Sequence, residues 1–337
     1  MSSKRKKATC LNSQDLLSPE DRKLFDAAWE TARAHHGSKF TFYLPGMIRY
    51  GQERGRYPAL SITGNRCALQ CEHCRGKLLE PMIAAQTPDR LIEICRRLSK
   101  NGAHGILLSG GSDHQGKLPW EIFSSAIKRV KEATPLFISA HTGFCFNASY
   151  EVLKQAGVTQ ALIDVMGDEK TATLVYHLNG LKQVHQALEG IKKSGLELVP
   201  HIVGGLFYGK IRAEYEALEI IQQYHPHALV VVALTPLKGT PMAHVEPPSA
   251  LEIGRLIARA RLLLPEVPIS LGCERPRIKE GWLMERFAIW AGANRMAIWS
   301  QEAVEEAKHL GLTPRFQATC CSLDYCTEFS AAAPETF

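Results

Sequence analysis

The sequence predicts an α/β chain folded as a (βα)8 TIM-type barrel, and three observations predict it. Between about residue 59 and residue 309, short runs rich in β-branched and apolar residues alternate with stretches of 3.6-residue apolar period. The alternation recurs eight times, the number a closed barrel of this kind requires. Glycine-rich, polar and cysteine-bearing groups fall where strands run into the loops after them, where such a barrel gathers its working side chains. An open parallel sheet is the competing arrangement.

Residues 1 to about 50 read as a leader. Lys4-Arg5-Lys6-Lys7 at its start reads as a solvated tail rather than a patch for an acidic partner. Ser18-Pro19-Glu20-Asp21 caps a helix that runs to about Ala34, and Phe40-Thr41-Phe42-Tyr43 follows. The barrel spans 51–310. Its strands are expected at Ala59 to Thr63, Gly105 to Ser109, Phe137 to His141, Gln160 to Val165, Leu196 to Ile202, Leu229 to Leu234, Ile269 to Gly272 and Met296 to Trp299. The helices between and after them are expected at about 86–101, 119–133, 148–156, 179–194, 210–224, 248–264, 278–291 and 301–309. Residues 311–337 form a cysteine-bearing tail.

With 337 residues, 45% hydrophobic and 22% charged, the chain can bury one sizeable core. The net charge of +6 is modest and comes partly from the leader, which argues against nucleic acid as a partner. No stretch approaches the roughly 18 apolar residues of a membrane span, and the N-terminus lacks the apolar core of a signal peptide. The expected location is the cytoplasm. Ten cysteines in such a chain point to metal or redox use rather than disulfides. Cys10 lies in the polar leader. Cys95 follows Leu91-Ile92-Glu93-Ile94 on an amphipathic helix as a small buried thiol, and Cys145 lies near a strand end.

The stretch that organises the rest is Arg66-Cys67-Ala68-Leu69-Gln70-Cys71-Glu72-His73-Cys74-Arg75, on the loop leaving the first barrel strand. Thiolates spaced by three and then two residues reach three corners of a cuboidal iron-sulfur cluster, and a fourth iron stays open to a small molecule. A structural zinc or an electron-transfer cluster would want a fourth protein ligand.

This loop resembles the signature of the radical S-adenosylmethionine (SAM) superfamily. The resemblance implies a 4Fe-4S cluster on Cys67, Cys71 and Cys74 whose open iron is chelated by SAM, giving a 5′-deoxyadenosyl radical that takes a hydrogen atom from substrate. It implies an adenine contact at the position of His73, where the family usually has an aromatic residue. It also implies SAM contacts at Gly110, Gly111 and Ser112, the last standing where the family commonly has an acid. His141 and Asp164 would meet the SAM carboxylate and ribose, with Asp164 suited to two vicinal hydroxyls, while Asp168 is suited to cap the following helix. His201 and Gly204, ahead of Gly205 and Glu214, resemble the fifth-strand motif that packs against adenine. Thr235-Pro236 through Gly239-Thr240-Pro241-Met242 resembles the corresponding segment of biotin synthase. That narrows the superfamily to the branch of biotin and lipoyl synthases, hydrogenase maturation enzymes and methylornithine synthase.

A second cysteine set remains. Cys273 stands at the mouth of the seventh strand, and Cys320, Cys321 and Cys326 lie in a tail that can fold back over the same end. Together they offer four thiolates, enough for an auxiliary 4Fe-4S cluster. Adjacent cysteines are awkward as two ligands of one cluster, which leaves one of them, or Cys326, over. A zinc-binding tail or an oxidised Cys320-Cys321 pair is the alternative.

Across most of its length the chain most resembles the archaeal-type lipoyl synthase made of two cooperating radical SAM proteins. The segments that carry the impression include Val165-Met166-Gly167-Asp168, Pro200-His201, and Gly272-Cys273 with Arg275-Pro276. The resemblance implies sulfur insertion into a protein-bound octanoyl chain, with the auxiliary cluster as sulfur donor. It also implies an octanoylated carrier protein or peptide, a paralogous radical SAM partner subunit and a ferredoxin- or flavodoxin-type electron donor, with no membrane. The competing outcomes are a radical SAM reaction of biotin synthase-like, methylornithine synthase-like or hydrogenase maturation-like type, and a non-catalytic iron-sulfur protein that binds SAM.

Overall fold

In a computed structural model, which describes residues 17–277 and 281–333, all eight expected strands form and run parallel. In chain order the strands are β1 (Lys39–Tyr43), β2 (Arg49–Tyr50), β3 (Glu53–Arg54), β4 (Ala59–Ser61), β5 (Ile83–Ala84), β6 (Gly105–Ser109) and β7 (Phe137–His141). They continue as β8 (Gln160–Asp164), β9 (Glu197–Gly204), β10 (Leu229–Ala233), β11 (Ile269–Leu271), β12 (Arg295–Ala297) and β13 (Thr313–Gln317). The helices are α1 (Pro19–His36), α2 (Pro88–Lys100), α3 (Trp120–Ala133), α4 (Asn147–Gln155) and α5 (Leu181–Ser194). They are followed by α6 (Glu214–Gln222), α7 (Ala250–Leu263), α8 (Gly281–Trp290) and α9 (Gln301–His309). Cys10, the Lys4-to-Lys7 run and the first residues expected for the eighth helix, 278–280, lie outside the described residues.

The expected α/β barrel is present as a curled parallel sheet, and the sheet is larger than eight strands. Its order is β13-β1-β12-β11-β10-β9-β8-β7-β6-β4-β5. The leader segment Phe40 to Tyr43 is therefore a strand of the sheet, held parallel between β12 and β13. The seam between β13 and β4 is crossed by irregular chain: Arg56 N–H donates to the Ala318 carbonyl, and Gly46 and Tyr57 form an antiparallel bridge. Ser18 caps α1 as expected, accepting from Asp21 N–H. Asp21 in turn receives Arg255 of α7 through two contacts of 2.6 and 2.8 Å, and Gly254 lets the ring of Phe25 close in. The leader helix is thus fixed to the outer helical ring.

Alternation along the strands fills the lumen in layers, because every second side chain points inward. Gln160, Glu197 and Arg295 make a polar layer at the strand starts, where Gln160 Nε2 donates to Glu197 at 2.9 Å. Above it Leu162, Val199, Val230, Ala297 and Tyr43 pack as a separate buried apolar cluster. At the strand ends come Asp164, His201 and His141, and the two imidazoles lie 4.9 Å apart. Among the described residues no helix is long and apolar enough to cross a membrane.

Candidate functional site

The cysteine loop is held from three sides. Gly111 N–H donates to Thr63 Oγ1 at 2.6 Å, and Ala68 N–H donates to the Ser112 carbonyl at 2.7 Å. A Cβ on Gly111 would stand 2.0 Å from the Arg66 carbonyl oxygen and 2.5 Å from Cys67 Cβ, so only glycine lets the two loops meet. From the far side, the segment after β8, a π-helical turn at Thr171–Val175, accepts Glu72 N–H at the Val175 carbonyl. The Cys71 thiol faces the Tyr176 carbonyl, and His177 Nδ1 donates to the Leu69 carbonyl at 2.9 Å.

The loop's own chemistry suits a metal cluster. All nine described cysteines are free, with Cys71 buried and Cys67 and Cys74 half-buried. The Cys71 thiol donates to Cys74, and that bond, helped by His73, holds the Cys74 thiol below its ordinary range. Burial works against a charge on His73, but the thiolate beside it and Asp164 outweigh burial and raise its pKa. His73 Nδ1 is buried with no partner in the protein, and its ring lies 5.0 Å from that of Tyr176. An all-sulfur donor set on one wrapped loop, with an orphaned imidazole nitrogen beside it, fits an iron-sulfur cluster with a ligand of its own. Among the described residues, no three histidine, cysteine or carboxylate side chains converge closely enough to hold a single metal ion.

The other expected SAM-binding residues divide into two groups. His73, Asp164, His141 and His201 are brought together on one side of the mouth, and the Asp164 carboxylate acts electrostatically on all three imidazoles. Burial lowers the pKa of both His141 and His201; that of His201, with the neighbouring His141 imidazole also opposing a charge on it, is pushed down to about 4. One oxygen of Asp164 is already engaged, accepting from Tyr176 Oη at 2.6 Å. Gly111 and Ser112 brace the cysteine loop, and Gly110 lies beside them against Ile62, Thr63 and Leu118. Gly204 faces away from the mouth, where the Ile253 side chain of α7 would meet any Cβ at 2.4 Å. Glu214 caps its own helix: its carboxylate accepts from the Gly205, Arg212 and Ala213 N–H groups. Asp168 caps as expected, accepting from Thr171 N–H at 2.8 Å, and also pairs with Arg212 at 2.7 Å.

The tail does more than fold over the open end. After β13 it threads into the lumen, where Cys321 joins the apolar cluster of Tyr43, Leu162 and Val199. Arg295, inside the barrel, donates to the carbonyls of Cys321, Ser322 and Leu323 and pairs with Asp324. Tyr43 Oη donates to the Leu323 carbonyl at 2.7 Å, and Gln160 Nε2 to that of Ser322 at 3.2 Å. Below them His227 Nε2 lies 3.4 Å from Asp324.

This threading brings three of the four remaining cysteines together. The Cys321 thiol donates to Cys320, lowering the pKa of Cys320 and raising its own. Cys273 lines the open lumen within electrostatic reach of both, and the surrounding protein, with the Cys320 charge, pushes its thiol up to about 11. Arg275 fixes the turn that carries Cys273: it is buried, donates to the carbonyls of Gly272, Ala297 and Ile298, and pairs with Glu285 at 2.8 Å. Cys326 stands apart where the tail leaves the barrel, its N–H donated to Gln317 Oε1 at 2.7 Å. Tyr176, Tyr43 and Arg295 belong to no recognisable motif. Of these, only Arg295 carried a signal, as a charge in a strand otherwise written in apolar letters.

No family model matches the chain. The biotin synthase of Thermodesulfovibrio yellowstonii is 24% identical over 242 residues, which cover 70% of this chain and 73% of that protein. Among solved structures, methylornithine synthase (PylB) superposes with a TM-score of 0.64 at 19% identity, covering 89% of this chain and 91% of that one. HydG, a maturase of the [FeFe]-hydrogenase, gives 0.62 at 15% identity, covering 90% and 70%. At such identities the structural likenesses speak to the fold. In sequence the chain is related to biotin synthases over 70% of its length, and in fold it is similar to methylornithine synthase and HydG, with its own three-cysteine loop at the mouth of the parallel barrel.

Proposed function

We propose that the protein inserts sulfur into a protein-bound octanoyl chain as one component of a lipoyl synthase. The observation that carries this reading is that the tail, threaded into the lumen, brings Cys320 and Cys321 within electrostatic reach of Cys273. Their donor set, three thiols around an open lumen, fits an auxiliary cluster, with Cys326 outside it. When bound, the first cluster supplies the electron that cleaves SAM to a carbon radical, and the second supplies sulfide. The protein's own part is positional. His73 and the Asp164-Tyr176 pair line the SAM side of the mouth. The imidazoles of His141 and His201 stand at the strand ends, and Arg275 fixes the turn that carries Cys273. The packed apolar layer of Leu162, Val199 and Val230 closes the lumen beneath the strand ends and keeps water out from that side.

The reading carries its partners with it: an octanoylated carrier protein or peptide, a paralogous radical SAM subunit and a ferredoxin- or flavodoxin-type donor, in the reducing cytoplasm. Anaerobic reconstitution tests it, with iron and sulfide counted per chain, SAM cleavage followed in dithionite, and sulfur transfer to an octanoyl-lysyl peptide measured. About eight irons, cleavage and loss of cluster sulfide into the peptide are expected. Cys273→Ala is expected to bring the iron to about four and leave cleavage largely intact. Iron unchanged by that substitution removes Cys273 from the ligands. Cleavage with only about four irons in the unaltered chain points instead to the competing outcome, a carbon-skeleton rearrangement or small-molecule maturation step.

A further inference from the structure

The loops after β6, β7, β8 and β9, which are neighbours in the sheet, are joined into one continuous rim. Lys117 and Gly143 form a bridge, Gln183 donates to the Gln115 carbonyl, Phe144 meets Tyr176 edge to face, and Arg212 pairs with Asp168. This rim exposes large apolar side chains in sequence around the mouth: Phe146 is 61% exposed, Leu174 52% and Tyr208 39%. The two other rim residues of this kind, Met47 and Ile48, lie on the loop after β1. Tyr208 has a φ of +52°, a left-handed conformation that strains a bulky residue and turns its ring outward, edge to face with Phe207. Apolar residues held out at adjacent loop tips mark an interaction surface.

The charge of the rim says what kind of partner fits it. Its acids are occupied locally: Asp113 accepts from the Gln115 and Lys117 N–H groups, Asp168 is held by Arg212, and Glu169 accepts from Leu181 N–H. Its cations are less compensated. Lys170 and Lys210 are exposed and have no ion-pair partner among the described residues, and the Lys117 ammonium lies 3.5 Å from the centre of the Phe146 ring.

We propose that this rim is the docking surface for an acidic carrier domain, which seats its apolar patch on Phe146, Leu174 and Tyr208 and sends its acylated lysine into the mouth. The inference rests on the octanoyl-lysyl reading above and adds the surface that selects the carrier. The apolar trio supplies the buried contact, and the lysines steer the encounter and reject basic partners.

The test separates carrier docking from acyl chemistry. The affinity of the reduced full chain for an acidic octanoylated carrier domain is titrated at low and at physiological salt. Sulfur transfer is measured in parallel on that domain and on a short octanoyl-lysyl peptide. Lys170→Glu/Lys210→Glu and Phe146→Ser/Tyr208→Asn are each expected to weaken carrier binding at least tenfold, with peptide turnover and SAM cleavage within twofold of the unaltered chain. Unaltered affinity for the carrier in both double variants overturns the proposal. So does an equal loss on peptide and carrier, or loss of a paralogous subunit with the carrier still bound. An unaltered chain that binds the carrier but transfers no sulfur to either substrate sinks the octanoyl reading and leaves the docking surface standing.

Discussion

Replacing Arg295 with Met tests whether the tail is held in the lumen as the geometry shows. The guanidinium donates to the Leu323 carbonyl at 3.0 Å and to those of Cys321 and Ser322 at 3.4 Å, and it pairs with Asp324. A charge-assisted bond of the first kind contributes about 1.5–3 kcal/mol, and the two longer ones less. The Asp324 side chain is 62% exposed, so that pair adds under about 1 kcal/mol. Tyr43 and Gln160 keep their own bonds to the tail. The substitution therefore lowers the free energy of tail opening by about 3 kcal/mol, which corresponds to an opened population roughly 100-fold larger. Alkylation of Cys320 and Cys321 in the reduced, cluster-free chain, read peptide by peptide by mass spectrometry, reports that population. Cys95, fully buried on α2, serves as the internal reference. A rate increase below about fivefold, or an equal increase at Cys95, refutes a tail locked by Arg295.

Three further outcomes follow from other contacts. Gly111→Ala drives a methyl group into Arg66 and Cys67, so iron bound at the first site is expected to fall several-fold while the circular dichroism stays unchanged; full iron content contradicts the bracing role. Arg261→Met orphans the carbonyls of Gly292, Leu264, Pro265 and Val267 together with Asn294 and His36. It should cost about 4 kcal/mol and lower Tm by roughly 8 °C or more in a thermal melt. His36 accepts from Arg261, and burial with that positive charge holds its pKa down at about 4, against 6.5 in the unfolded chain. Between those values the unfolded chain binds the proton and the native one does not, so stability present above pH 6.5 is lost as pH falls toward 4. His36→Gln should flatten that loss by about 2 kcal/mol in denaturant titrations at pH 7.5 and pH 4.5; an identical slope in both chains removes His36 as its source.

The strands that could be read from sequence are those whose neighbours in the sheet are also near in sequence. Phe137–His141 lies between Pro135 and Gly143 with an apolar run inside, and the structure gives those bounds. β1 and β13 escaped because their partners are distant. Thr313-Pro314-Arg315-Phe316-Gln317 carries a proline and an arginine, and nothing local says that Phe40 to Tyr43 will lie beside it. The cysteine loop was legible because its ligands are spaced along one turn of chain. The lumen was not, since inward-pointing Gln160 and Arg295 read locally as ordinary surface residues until the tail supplies the carbonyls they donate to. Glu214 had no readable role of its own in sequence, because the Gly205, Arg212 and Ala213 N–H groups its carboxylate accepts from are brought to it only by the fold.

The position of β1 between β12 and β13 bears on how the chain is made. Thr41 pairs with Arg295 and Arg315, each more than about 250 residues downstream. At ribosomal speeds of about 5–20 residues per second, the early strand waits roughly 10–50 s for either neighbour. During that interval Phe40 and Phe42 have no sheet to join and are open to chaperones. The lumen, with Cys321 in it, is completed only after every other strand of the sheet has been translated, so any metal loading there follows the synthesis of the whole barrel.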